Sequence, residues 1–294
     1  MDNDKKQEKI KALLEQVEQS EISSIKSVVS EIVRVINDPR SNAMDLKEVI
    51  EIDPPLTARV LKAANSAYYA PPKRIDDIRH AILWIGSDAL KELALSQKVC
   101  QVFEKSVSFD GYSRTGLWTH SLAAALFAKA LYRREFAEAG ENAYAAGLLH
   151  DIGVVIEDQF LQDAFRVIIR KAKKENKELT EIEVAILGYS HADIGGALSE
   201  YWNFPEELVA AIRHHHDPAG ADELFSRMAS TLYLADYVCT QKGFGYIGGR
   251  TVYDKDLYLT GLKQLNIRPQ AIKLIAEELE QEMRKMQDRG VVFA

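Results

Sequence analysis

The chain lacks any run of about 18 apolar residues, so nothing in it is read as a membrane span. Cysteine is nearly absent: Cys100 and Cys239 are too few for a disulfide framework. The opening Met1-Asp2-Asn3-Asp4-Lys5 has no apolar core of the kind a signal peptide needs, and with the scarce thiols it predicts a cytoplasmic protein. Sixteen glycines and eight prolines in 294 residues are about two thirds of the usual share, which favours long helices over a turn-rich β fold. Positive charge is in deficit, 37 Lys and Arg against 44 Asp and Glu for a net −7, so no global field draws the chain onto nucleic acid or an anionic membrane. Neither is an expected partner. Also missing are a Gly-rich phosphate loop, a nucleophile elbow and a Cys-pair zinc motif; Gly243-Phe244-Gly245 and Gly248-Gly249 mark a loop with no strand before it. What remains is a composition of 47% hydrophobic and 28% charged residues, that of a folded globular protein.

The apolar residues recur at helical intervals almost throughout. Ile10, Leu13, Leu14 and Val17 make an amphipathic helix over residues 4–20, and a second covers about 22–37. Asp53-Pro54-Pro55 reads as an N-cap with proline in the first turn of a helix ending near Ser66. Ile75, Ile78, Ile82 and Leu83 predict a buried stripe up to Gly86, with Ser87 capping a further helix to about 105. The pattern lapses over Val107–Arg114, the best candidate boundary in the chain. Beyond it, Thr180 and Glu183 fit a capping box, Pro205 fits the first turn of a helix ending near His214, and Ile272, Ile275, Leu279 and Met283 mark a surface or dimer-forming helix. Only Val291-Val292-Phe293 looks strand-like. The fold class is therefore all-α.

Several metal-type side chains stand where these helices should be apolar. His120 shares a stripe with Leu117, Ala123, Ala124 and Phe127, His191 with Ile194 and Leu198, His215 with Leu208, Ala211 and Ile212, and Asp236 with Ala229, Leu232 and Tyr233. His150-Asp151 closes the apolar stretch Ala145-Ala146-Gly147-Leu148-Leu149. A buried carboxylate costs several kcal/mol unless paired or bound to a cation, so two aspartates and four histidines turned inward call for a shared partner. One or two divalent ions of Fe, Mn, Ni or Zn meet that need, with Asp151 able to bridge a pair. Of the neighbouring histidines, His214 is expected to face solvent, His216 to line the pocket mouth, and His80 to be a surface residue among Asp76 and Asp77.

The series carries a resemblance. Leu117-Trp118-Thr119-His120-Ser121, Ala146-Gly147-Leu148-Leu149-His150-Asp151-Ile152-Gly153, His191-Ala192-Asp193-Ile194-Gly195 and Ile212-Arg213-His214-His215-His216-Asp217-Pro218 resemble the HDOD family, the HD-related output domain of bacterial signalling, within the HD superfamily of metal-dependent phosphohydrolases. The upstream Asp53–Ser66 and Ile78–Gly86 stretches match it too. The resemblance implies a helical N-terminal half packed on an HD-like helical bundle. It divides the chain into an N-terminal helix (1–20), an N-terminal subdomain (21–110), a metal-site subdomain (111–245) and a C-terminal helical extension (246–294). The metal ligands it implies are His120, His150, Asp151, His191, His215 and Asp236.

It further implies a bacterial regulatory output module, partnered by a signalling protein or a small nucleotide ligand, with a homodimer among the expected assemblies. The alternative is a metal-dependent phosphohydrolase acting on a nucleotide or phosphate ester, with Asp151 central to catalysis; a scaffold without metal would need its aspartates paired with arginines or protonated. Departures from the related cyclic-di-GMP phosphodiesterases, the HD-GYP proteins, favour the first reading. Val154 stands where a phosphate-holding lysine commonly follows His-Asp-Ile-Gly, Gly116 where some carry a metal-binding glutamate, and the Gly-Tyr-Pro loop is absent, Gly188-Tyr189-Ser190 lying elsewhere in the series. Arg213 and Lys173 are the basic residues that could replace the lysine.

Overall fold

The computed structural model describes residues 3–105, 107–245 and 255–289. Among them the chain is all-α apart from one hairpin. The first half comprises α1 (Asn3–Glu18), α2 (Ser23–Asn37), α3 (Ala43–Glu51), α4 (Pro54–Ala64), α5 (Ile78–Ile85) and α6 (Ser87–Val99). Asp53 caps α4 as the sequence predicts, accepting from Leu56 N at 3.0 Å, while its other oxygen takes the ammonium of Lys98 and so ties α4 to α6. Three details differ. Ser87 does not cap α6; Gly86 occupies the cap position with φ +90°, and the serine is already inside the helix. Helix α6 stops at Val99 and continues only as a 3₁₀ turn to Phe103. Leu83 is 76% exposed, because α5 begins at Ile78 and buries just Ile78 and Ala81 fully.

The lapse in periodicity at 107–114 is a two-residue antiparallel hairpin, Ser108–Phe109 (β1) against Tyr112–Ser113 (β2), which delivers the chain into α7 (Arg114–Leu131). Val291–Phe293, the stretch expected to be strand-like, lies outside the described residues. A π turn (Tyr132–Phe136) ends α7, and the second half follows as α8 (Glu141–Leu149), α9 (Ile152–Phe160), α10 (Gln162–Glu175), α11 (Leu179–Ile186), α12 (His191–Tyr201), α13 (Glu206–Arg213), α14 (Ser226–Gln241), α15 (Lys255–Gln264) and α16 (Pro269–Asp288). Pro205 sits one residue before α13, at its cap position, instead of in its first turn. In α16 the stripe of Ile272, Ile275, Leu279 and Met283 is buried, and the helix packs on α7 of its own chain.

Two features lock the halves together. The Arg114 guanidinium, buried at the start of α7, pairs with the buried Asp158 carboxylate of α9 and donates to the Val102 carbonyl at 2.9 Å; Tyr112 Oη donates to the same carboxylate at 3.2 Å. Helix α1 lies over α9 and α12, burying Ile10, Leu13 and Val17, with Lys6 paired to Asp193 at 2.7 Å. One contiguous apolar core runs through both halves.

Removing one partner of a buried ion pair leaves the other charged and unsatisfied. Asp158→Ala is therefore expected to cost about 3–5 kcal/mol in urea-induced unfolding, with Asp158→Asn losing less because the amide still accepts from Arg114.

Candidate metal centre

Five structural elements aim side chains at one point. Helix α7 supplies His120 from its second turn. The tight junction between α8 and α9 supplies His150 and Asp151, one closing the first helix and the other standing at the cap of the second. That junction can be so tight because of glycine. A Cβ on Gly153 would drive into the carbonyl oxygen of His191, far inside van der Waals contact, so only glycine lets α9 pass this close to the start of α12. Helix α12 begins at His191, its end fixed by a reciprocal box in which Ser190 Oγ accepts from Asp193 N and Asp193 accepts from Ser190 N. His215 and His216 come from the turn after α13, and Asp236 from the middle of α14.

All six predicted ligands are buried together. Asp151 lies at the centre. Its Oδ2 is 3.2 Å from His150 Nε2 and 3.8 Å from His120 Nε2, and its Oδ1 is 3.4 Å from His191 Nε2 and 3.6 Å from His215 Nε2. Asp236 Oδ1 stands 2.9 Å from His120 Nε2. The sequence reading put His216 only at the pocket mouth; it belongs to the cluster, its Nε2 3.0 Å from His191 Nε2 and its Nδ1 3.8 Å from Asp236 Oδ2. Potential ligand atoms thus fall into two overlapping groups, His120 with His150 and Asp151, and Asp151 with His191, His215 and His216. His214 is half-buried outside both, and His80 sits on the surface beside Asp76 and Asp77.

The outer hydrogen bonds orient the rings. His120 Nδ1 donates to the Phe244 carbonyl at 3.1 Å, His150 Nδ1 to the Gly147 carbonyl at 2.7 Å and His215 Nδ1 to the Ile212 carbonyl at 2.7 Å. A carbonyl only accepts, so each of these Nδ1 atoms carries a proton and each ring turns its Nε2 inward, where a metal would take the lone pair of the neutral form. His191 Nδ1 lies 2.9 Å from both oxygens of Glu183, which also accepts from His191 N at 2.9 Å. Glu183 is therefore no helix cap: α11 starts at Leu179 without a side-chain cap, and Thr180 makes no box with it. Its pairing with a histidine eight residues on left no trace in local periodicity, although an acidic residue inside the apolar run of Ile182 and Val184 was a usable signal.

Lone pairs facing carboxylate oxygens repel. His120 Nε2, His150 Nε2, His215 Nε2 and Asp151 Oδ2 are all buried with no hydrogen-bond partner. The cationic partners of Asp151 and Asp236 among the described residues are histidines, so arginine pairing does not neutralise them. Divalent cations held by the two ligand groups would satisfy the orphaned atoms, and the donor set of imidazole and carboxylate suits them. The electrostatics say the same. Burial opposes charging the His191 ring, yet Glu183 and Asp151 raise its pKa well above the usual value, while burial opposes charging Asp151 and the His150, His191 and His215 rings nonetheless hold its carboxyl well below the usual carboxylate range. Burial lowers His215, and with its neighbouring rings keeps His216 uncharged. Neither candidate basic residue enters: Arg213 is held by Glu200 at 2.7 Å and Lys173 by the Asp110 carbonyl at 3.2 Å, both toward solvent.

Comparison with known proteins places the site in context. The sequence matches the HDOD domain family over residues 22–218. A solved HDOD domain protein with unknown function from Geobacter sulfurreducens superposes with a TM-score of 0.76 at 28% identity, covering 91% of this chain and 92% of that one. A "Putative signal transduction protein" from Marinobacter aquaeolei VT8 shares the fold at TM-score 0.73 and 23% identity, over 91% of this chain and 59% of its own. So does a "Putative phosphohydrolase" from Shewanella amazonensis SB2B, at 0.69 and 24%, over 96% and 98%. An uncharacterized protein of Treponema pallidum (strain Nichols) is 27% identical over 226 residues, which are 76% of this chain and 42% of that relative, so the chain spans less than half of that relative's length.

Behind His191 lies a second carboxyl, Glu157, fully buried with neither oxygen hydrogen-bonded; burial and the charge of Glu183 raise its pKa well above 4.5. The native state thus holds this proton more tightly than the unfolded chain, so stability is lost as pH rises from the unfolded pKa. Glu157→Gln, which stays neutral, is expected to raise the thermal midpoint at pH 7 and to give no gain near pH 4, a difference readable in paired melts at the two pH values.

Proposed function

Because this chain belongs to the HDOD family, we propose that it works as a regulatory output module of signal transduction. In this reading its His-Asp pocket binds divalent transition metal as a structural or sensing element, with little or no turnover. The observation that carries the reading is the set of buried Nε2 lone pairs and the Asp151 oxygen left without partners in a solvent-excluded pocket. His120, His150, Asp151 and Asp236 would hold one ion; His191, His215 and, on its geometry, His216 would hold a second through the other oxygen of Asp151. Fe, Mn, Ni or Zn fits this mixture better than Mg, which prefers oxygen and water. When bound, such an ion supplies a Lewis acid and lowers the pKa of a coordinated water to about 7.

That chemistry is not sufficient for phosphodiester cleavage, which also needs the substrate held in line and its developing charge neutralised. Val154 is completely buried in α9 and offers no charge where lysine would stand. The ground over His120 is filled by the chain itself. A Cβ on Gly245, at φ +72°, would run into the Gly116 carbonyl, so the 243–245 turn presses directly on the place where a metal-binding glutamate would start. Loss of one stabilising donor typically costs 10²–10³ in rate, and lost positioning adds to it (roughly, by analogy with oxyanion donors). The phosphohydrolase reading keeps one observation in its favour, the complete ligand series, and a substrate smaller than a cyclic dinucleotide would suit it. No helix among the described residues is long and apolar enough to cross a membrane.

Elemental analysis of protein purified without chelator is expected to find transition metal, and chelator is expected to lower the melting temperature. Asp151→Ala should lose metal, destabilise by a few kcal/mol (about 3–5, as for other broken buried charge clusters) and no longer respond to chelator. Metal-free protein that melts identically with and without chelator would remove the metal from the reading. Supplied with Mn or Fe, the protein should hydrolyse cyclic-di-GMP, nucleoside monophosphates and a generic phosphodiester negligibly; turnover of about 1 per second that Asp151→Ala abolishes would promote the phosphohydrolase instead.

A further inference from the structure

Away from the His-Asp cluster, the two halves and the C-terminal helix enclose a cavity of about 380 Å³. Its walls come from the segment after α4 (Tyr68, Tyr69), from α6, from α7 and α8 (Trp118, Tyr144), and from α16. We propose that this cavity is a binding site for a small, uncharged, planar nitrogen heterocycle that carries N–H donors. The site stands independently of whether the His-Asp pocket holds metal.

Three observations fix that chemistry. The volume lies within the range of sites for small organic ligands. Tyr69, Trp118 and Tyr144 line an apolar space with leucines and isoleucine, so flat aromatic surface is what packs best there. The polar end is short of donors. Gln97, 3% exposed, lines the cavity with its Oε1 buried and without a hydrogen-bond partner, and beside it the buried Glu92 carboxylate is engaged by Lys129 at 2.6 Å. A buried acceptor of this kind is costly unless something donates to it, and the N–H edge of a heterocycle is such a group.

Charge selects against phosphorylated forms. Three carboxylates, Glu92, Glu278 and Glu282, line the cavity against two cations, Lys129 and Arg133. Lys129 is occupied by Glu92, and although Glu278 pairs with Arg134 at 2.6 Å and Glu282 with Lys285 at 3.6 Å outside the lining, the lining itself carries one more carboxylate than cation and disfavours an anionic ligand. Glu282 in turn accepts from Tyr68 Oη, which joins α16 to the segment after α4 across the cavity and makes this wall sensitive to what lies within. Trp118 and Leu122, both lining residues, flank His120 on α7 by two positions on either side. An occupant therefore presses on the helix that carries one end of the His-Asp cluster.

The test uses the full chain as purified, with adenine and indole as probes and adenosine monophosphate as the anionic counterpart, followed by calorimetry and by saturation-transfer NMR. One molecule of adenine or indole is expected to bind per chain, with the monophosphate at least about tenfold weaker. Gln97→Leu removes the unpartnered amide acceptor and should weaken binding about tenfold. Ala89→Phe, which adds bulk to the cavity wall from α6 while leaving Gln97 in place, should abolish binding while helicity is retained. Should Ala89→Phe not fold, displacement of the Trp118 indole N–H resonance by the probe in the wild-type chain replaces it as the localising measurement. Absence of binding by both probes at about 1 mM, binding unchanged in Gln97→Leu, a Trp118 resonance that does not move, or a monophosphate that binds as tightly as adenine would each overturn the proposal and leave the cavity to water.

Discussion

The structure depends on a concentration of imidazoles and carboxylates that it buries around one residue. Imidazole lone pairs from four elements and two carboxylates meet around Asp151 in a space closed to water, and backbone carbonyls behind three of the rings fix those lone pairs inward. The outer hydrogen bonds oppose rotation of the rings; burial keeps His215 and His216 from taking a second proton, while the neighbouring carboxylates favour one on His150 and His191. Such a gathering commits the interior to polar groups whose chemistry would suit a divalent cation. The surrounding packing is then what makes the commitment affordable: Gly153 brings α9 against α12, the Ser190 and Asp193 box fixes the first turn of α12, and Glu183 clamps the His191 backbone and ring together.

In the proposed reading, the same geometry would let ligation and catalysis separate. Ligands are set by helix crossings, which the core enforces over the whole chain. Phosphate binding would be set by single residues at the pocket's edge, and those are Val154, buried among apolar neighbours, and Gly116, pressed by the Gly245 turn. A protein can lose the second class of residue while its core continues to demand the first.

Much of this was legible in the sequence, and the boundary of legibility has a physical cause. Helical periodicity gave the long elements because burial writes a repeat of three and four into the chain, and it placed His120, His191, His215 and Asp236 inward because each follows its helix's apolar stripe. His216 was placed only at the margin, since it follows the end of α13, where no stripe exists to orient it. Glu183 was misread as a cap because Thr180 three residues earlier satisfied a local rule, while its real partner is tertiary. Leu83 was counted as core by spacing alone, yet α5 is too short to bury it. The hairpin at 108–113 was visible only as a loss of pattern, as two-residue strands carry no period of their own.

Helix α1 lies before residue 22, where the match to the family begins, and yet it covers α9 and α12 and binds Asp193, the residue that completes the cap over His191. A fragment cut at the family's border would expose the apolar surface now shielded by Ile10, Leu13 and Val17, and would free the carboxylate that steadies the first turn of α12. The unit that inheritance delimits and the unit that folds around the His-Asp pocket are thus not the same length of polypeptide, and whatever is attached ahead of α1 in a fusion or a longer chain acts on the pocket through Lys6 and the apolar face of α1.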